Sequence, residues 1–260
     1  MTATALITPA TSPRRLLPDS PPKPVIYPDS DGKPMADNTR QFDYIVMIQG
    51  GLAALFADRT DVFVAGDLLW YPVEGNPKIR AAPDAMVIFG RPPGYRGSYI
   101  QHEENHIAPQ VAFEVLSPGN TQAEMRKKWG FYERYGVKEY YEYDPDRGTL
   151  KGWVRRNERL EPIARMEGWV SPLLGVRFSL EGTDLVLYHP DGQRFETFVE
   201  LAQRAKVERQ RAEVERWQGH EEGLQEGLQQ GLQEGLQQAL DRLIASGIAE
   251  DQAKRLLGLA

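Results

Sequence analysis

Apolar positions are sparse and unpatterned at the start of the chain. There Pro9, Pro13, Pro18, Pro21, Pro22, Pro24, Pro28 and Pro34 interrupt any helix or strand ladder, so residues 1–37 are expected to form a disordered leader. From Asn38 the text changes. Phe42, Ile45, Val46, Ile48, Leu52 and Leu55 recur close to helical spacing, which predicts a first core helix capped by Asn38 or Thr39. Three short apolar runs follow, VFVAGDLLWYPV, APDAMVIFG and APQVAFEVLSPGN. Their length and their β-branched and aromatic content predict successive strands. The segment RPPGYRGSYIQHEENH between the last two is polar and rich in glycine and proline; it is expected to be a loop, one that could line a cleft.

After Thr121, Met125, Trp129, Tyr132 and Tyr135 fall at three- and four-residue spacing and the pattern stops at Gly136, which predicts a glycine-capped helix. VKEYYEYDPDRGTLKGWVRR then reads as a hairpin turning at PDRG, and strand-like text continues to about Tyr188. From about Thr197 the composition becomes that of a long helix. Its repeat GLQEGLQQGLQEGLQQAL sets Gly223, Gly227, Gly231 and Gly235 each before a leucine. A period of four drifts about 40° per repeat against the helix, so the leucines wind round it instead of forming a straight seam. A closely approaching partner helix and simple repeat expansion both account for the pattern. The expected division is a leader over 1–37, a core domain over 38–196 and a helical tail over 197–260.

The absence of cysteine removes disulfides, thiolate catalysis and sulfur-ligated zinc, and four scattered histidines leave little for an imidazole site. A bound metal would therefore be held by oxygen. A formal net charge of -6 argues against a protein that coats nucleic acid nonspecifically, while leaving room for a local basic patch. No apolar run is long enough to cross a membrane and the N-terminus lacks a signal-peptide core, so no membrane partner and a cytoplasmic location are expected.

Two acids fall on adjacent predicted strands: Asp84 at the start of PDAMVIFG and Glu114 inside QVAFEVLS, a run otherwise apolar. A carboxylate in such a run is costly to bury without a cation or metal beside it. Glu114 could instead partner a structural arginine, and Asp84 could be turn chemistry after Pro83. On the following helix Glu124, Lys128 and Tyr132 share one stripe, which could face the acidic pair; a solvated Lys128 paired with Glu124 is the plainer alternative. Asp67 either borders the site or serves a turn after Gly66. The aromatic residues Trp70, Tyr71, Tyr140, Tyr141 and Tyr143 are expected in the core, and no phosphate-binding glycine loop is present.

PDAMVIFG at 83–90, FEVLSPGNT at 113–121 and EMRKKWGFYERYGVKEYYEYDPD at 124–146, in that order, resemble the Uma-type restriction endonuclease family of the PD-(D/E)XK nuclease superfamily. The resemblance spans about residues 38–190. It implies an α/β fold with a restriction-endonuclease-like core, a mixed β-sheet flanked by helices, to which the long C-terminal helical tail is appended. It also implies metal ligation by Asp84 and Glu114, Mg²⁺ or Mn²⁺ as cofactor, and hydrolysis of DNA phosphodiester bonds. The superfamily's usual lysine two positions after the acid is absent, since Val115 and Leu116 follow Glu114; Lys128 matches the helix lysine thought to replace it. The first helix carries no glutamate of the kind many superfamily members have. The expected function is thus a Mg²⁺-dependent endodeoxyribonuclease with Asp84, Glu114 and Lys128 catalytic, Asp67 and Glu124 as neighbours, DNA as partner and a homodimer suited to cutting both strands. The alternative is a catalytically degenerate nuclease fold that binds nucleic acid or protein.

Overall fold

The computed structural model describes residues 24–32 and 34–259; most of the predicted leader, residues 1–23, lies outside the described residues. Helix α1 (Thr39–Leu55) begins where the pattern predicts, because the Asn38 side chain accepts a hydrogen bond from the Gln41 N–H at 2.9 Å. Ile45, Ile48 and Leu52 face inward, while Phe42 is left 45% exposed. Strand β1 (Val62–Ala65) follows. The run predicted as one strand over 62–73 breaks at Gly66 and Asp67, where Asp67 takes φ +46° and its N–H donates to the Pro83 carbonyl at 3.1 Å. Its second half, β2 (Trp70–Tyr71), leaves the main sheet.

Strand β3 (Ala85–Phe89) is followed by the long polar segment. That segment is not wholly loop: it contains the short strand β4 (Tyr99–Ile100), which pairs in parallel with β2. Then come β5 (Val111–Val115), helix α2 (Gln122–Arg134), β6 (Glu139–Asp144), β7 (Thr149–Arg156), β8 (Arg159–Pro162) and the hairpin β9 (Arg177–Glu181) and β10 (Asp184–Tyr188). The main sheet has six strands in the order β1-β3-β5-β6-β7-β8, antiparallel throughout except for the parallel pair β5 and β6, which α2 connects. This mixed sheet with flanking helices is the expected α/β architecture.

Alternation along the strands divides the core in two. On one face α1 and the β9–β10 hairpin cover Val87, Val111, Phe113, Tyr141 and Tyr143. On the other, Tyr132 of α2 packs with Trp70, Met86, Ala112 and Tyr140. With both faces covered, β6 has no solvent side, and all six of its residues are buried despite three being acidic.

The chain forms two compact units, the first ending at Phe195 and the second running from Glu196. The second contains α3 (Phe198–Ala245) and α4 (Glu250–Leu256). A capping box of Thr197 and Glu200 starts α3: the Thr197 N–H donates to the Glu200 carboxylate at 2.8 Å, and the Glu200 N–H donates to Thr197 Oγ1 at 3.3 Å. Leu240 and Ala253 are buried within this unit. The repeat glycines Gly223, Gly227, Gly231 and Gly235 meet nothing within 4 Å, and Leu224, Leu228 and Leu232 are exposed. Among the described residues no helix is long and apolar enough to cross a membrane.

Candidate active site

The site is assembled by strand register. Ala85 of β3 stands opposite Phe113 of β5, so the preceding Asp84 falls opposite Glu114 on the α2 face of the sheet. Both are nearly inaccessible, at 8% and 3% exposure. Helix α2 starts at Thr121, whose side chain and N–H exchange hydrogen bonds with Glu124, and it returns over the same face. One turn apart on that helix, Lys128 and Tyr132 reach the two oxygens of one carboxylate. Lys128 Nζ donates to Glu114 Oε2 at 2.6 Å, and the Tyr132 hydroxyl donates to Glu114 Oε1. The stripe predicted on this helix does face the acidic pair.

Asp84 is held from the other side, because its Oδ2 accepts the Val115 N–H at 2.6 Å. Burial is the main cause that pushes the Asp84 carboxyl well above the usual carboxylate range, with the neighbouring Glu114 charge adding to it and Lys128 opposing. For Lys128, burial favours the neutral amine, but the charges of Glu114 and Asp84 outweigh it and the ammonium is held above its ordinary value. Asp67 is raised by burial first and then by the charge of Asp31. Asp67 therefore serves a turn and also faces the same cavity. Glu124 caps α2 and lines that cavity too.

The cavity measures about 740 Å³ and contains Asp67, Asp84, Glu114, Glu124 and Lys128 in its wall. Its lining also includes the cations Lys78, Arg80 and Lys127 and the acids Asp31 and Asp37, so both signs of charge meet in it. Lys78 and Arg80 were not anticipated from the sequence; their only signal is a place within six residues of Asp84 in NPKIRAAPD. Gln41 was also unforeseen. It is a buried amide on α1 that donates to the Val115 carbonyl at 2.7 Å, and so secures the strand segment that carries Glu114.

Oxygen donors of this kind suit a hard divalent ion. Among the described residues no group of three or more His, Asp or Glu side chains could hold a metal. An ion here would take two carboxylates and complete its shell with backbone carbonyls and water, a donor set usual for Mg²⁺. Asp84 and Glu114, buried and opposite each other in register, supply that pair of carboxylates, so the residues present fit one.

Comparison with known proteins bears on the family of the chain. The family model Uma2, described as "Putative restriction endonuclease", matches residues 46–184. No curated protein matches the chain. Among solved structures, a putative nuclease of the DUF820 group from Anabaena variabilis is 16% identical over 54% of this chain and 74% of its own, with a TM-score of 0.40.

Proposed function

The chain belongs to the Uma2 family of putative restriction endonucleases, and on that premise we propose that it is a metal-dependent DNA endonuclease with Asp84, Glu114 and Lys128 at its centre. The observation that carries this reading is the pairing of two buried carboxylates in the wall of one cavity, with the Lys128 ammonium 2.6 Å from one of them.

Asp84 and Glu114 would hold one Mg²⁺ or Mn²⁺. When bound, such an ion lowers the pKa of a coordinated water and neutralises charge developing on a phosphate. The protein supplies the rest. Tyr132 and the Val115 N–H fix the two carboxylates in place. Lys128 donates to a non-bridging phosphate oxygen and orients the attacking water. Lys78, Arg80 and Lys127, which line the same cavity, would contact neighbouring phosphates. The water oxygen bonds to phosphorus as one of its protons passes to solvent, the bond to one bridging oxygen breaks, and that oxygen leaves with a proton drawn from solvent.

The test is cleavage of supercoiled plasmid and of single-stranded DNA by purified protein with Mg²⁺ or Mn²⁺, beside Asp84→Ala, Glu114→Ala and Lys128→Ala. Metal-dependent nicking lost in all three variants is the expected result. A wild type that neither nicks DNA nor binds a divalent ion would end the catalytic reading and leave a nucleic-acid or protein binding module in its place.

A further inference from the structure

Three of the four oxygens of the carboxylate pair are already occupied by donors of the protein itself. Glu114 Oε1 accepts from the Tyr132 hydroxyl, Glu114 Oε2 accepts from Lys128 Nζ at 2.6 Å, and Asp84 Oδ2 accepts from the Val115 N–H at 2.6 Å. The three donors differ in their freedom to leave. The Val115 N–H is main chain in a central strand. Tyr132 is fully buried, with its ring against Trp70, Phe131 and Tyr140. Lys128 alone has a side chain one-third exposed, and it lies in the wall of the cavity.

A divalent ion coordinates a carboxylate oxygen at roughly 2.0–2.2 Å. It cannot take Glu114 Oε2 with an ammonium at hydrogen-bond distance from the same atom, because the two like charges would lie only about 3–4 Å apart in a site shielded from water. We infer that Lys128 is the resident counter-ion of the acidic pair, and that it surrenders Glu114 Oε2 to the incoming divalent ion by swinging into the cavity. This rests on the metal site proposed above and assigns Lys128 a second, earlier role. In the metal-free protein it compensates the buried charge; once displaced, its ammonium is in the open cavity, where a phosphate can accept it.

Two consequences follow from exchange and not from a fixed lysine. Lys128 competes with the ion, so its charge weakens metal binding. A DNA phosphate that captures the displaced ammonium strengthens metal binding, and by linkage the metal strengthens DNA binding by the same factor.

The experiment is calorimetric titration of the full chain with Mn²⁺, for wild type, Lys128→Met and Lys128→Gln, together with acetic anhydride labelling of the wild-type lysines with and without Mn²⁺. Exchange predicts that both variants bind Mn²⁺ about tenfold or more tightly than wild type. It also predicts that labelling of Lys128 rises several-fold on Mn²⁺ addition while Lys138 and Lys206 are unchanged. The labelling arm needs no variant, so it stands even if the substitutions unfold the protein. Equal or weaker Mn²⁺ binding by the variants, or Lys128 labelling indifferent to Mn²⁺, overturns the exchange and leaves the metal site standing. Absence of Mn²⁺ binding by wild type and variants alike overturns the metal site and the exchange together.

Discussion

Glu114 and Glu139 are buried almost equally, at 3% and 1% exposure, on the adjacent parallel strands β5 and β6 of one sheet. Their surroundings differ. Glu139 lies on the face covered by α1 and β9–β10, where it accepts hydrogen bonds from the Tyr141 hydroxyl at 2.9 Å, the Leu173 N–H at 2.9 Å and the Ser171 hydroxyl. Among the described residues its partners are all neutral, and they tie the 171–174 turn to the sheet. Glu114 lies on the α2 face beside a second acid, holds a lysine and opens onto a cavity. A buried carboxylate is thus no signature of a site by itself. What separates the two is a like charge next to it, a displaceable cation and a route to solvent.

The sharpest way to break this contrast is to remove each charge while keeping its shape. Glu114→Gln should lower metal-dependent plasmid nicking by at least about 10³-fold, whereas Glu139→Gln should stay within about threefold of wild type. Equal losses in a folded Glu139→Gln protein would mean that the two acids share one function.

The contrast should invert for stability. Glu139→Ala strands two hydroxyls and an N–H among apolar neighbours, and about 3 kcal/mol should be lost, lowering the melting temperature in EDTA by about 6–12 °C. Glu114→Ala should lose less: it strands one buried hydroxyl, that of Tyr132, but Lys128 can turn to water and Asp84 is freed from a like charge. A larger loss for Glu114→Ala would refute the assignment of Glu139 as the structural acid.

The smallest effect concerns pH. Burial raises the Glu139 carboxyl above its ordinary value, against the opposing hydrogen bonds from Ser171, Tyr141 and Leu173. A carboxyl raised on folding binds its proton more tightly in the native state, so its contribution is complete below the unfolded value of about 4.3 and is lost as pH rises through the folded value. Relative to Glu139→Gln, the wild type should therefore lose unfolding free energy as pH rises through that window. Denaturant titrations between pH 4 and 7 on both proteins check it, and a wild type that gains on Glu139→Gln over that range would contradict the sign.

Much of this was legible in the chain. Asn38 and Thr121 mark the starts of α1 and α2 because each offers a side-chain acceptor to an unpaired N–H two or three residues on. PDRG turns the β6–β7 hairpin as its composition dictates. The apolar run around Glu114 made that residue conspicuous. Glu139 was not conspicuous, since KEYYEYD reads as a strand with polar residues free to face water; only the covering of both sheet faces buries it. The run 62–73 reads as one strand because its apolar pattern continues through Gly66 and Asp67, yet the positive φ at Asp67 sends its two halves to different sheets.

By itself, then, the sequence determined most of the local elements, the family, the strand that carries Glu114 and the strand that Asp84 immediately precedes, because caps, turns and apolar periodicity act within a few residues. Only the tertiary structure decided that register sets these acids side by side, that Lys128 answers Glu114, and that Lys78 and Arg80 line the same cavity. These outcomes depend on strand pairing and helix placement between residues far apart in the chain, and no local pattern encodes the distance between two side chains that meet only once the sheet has closed.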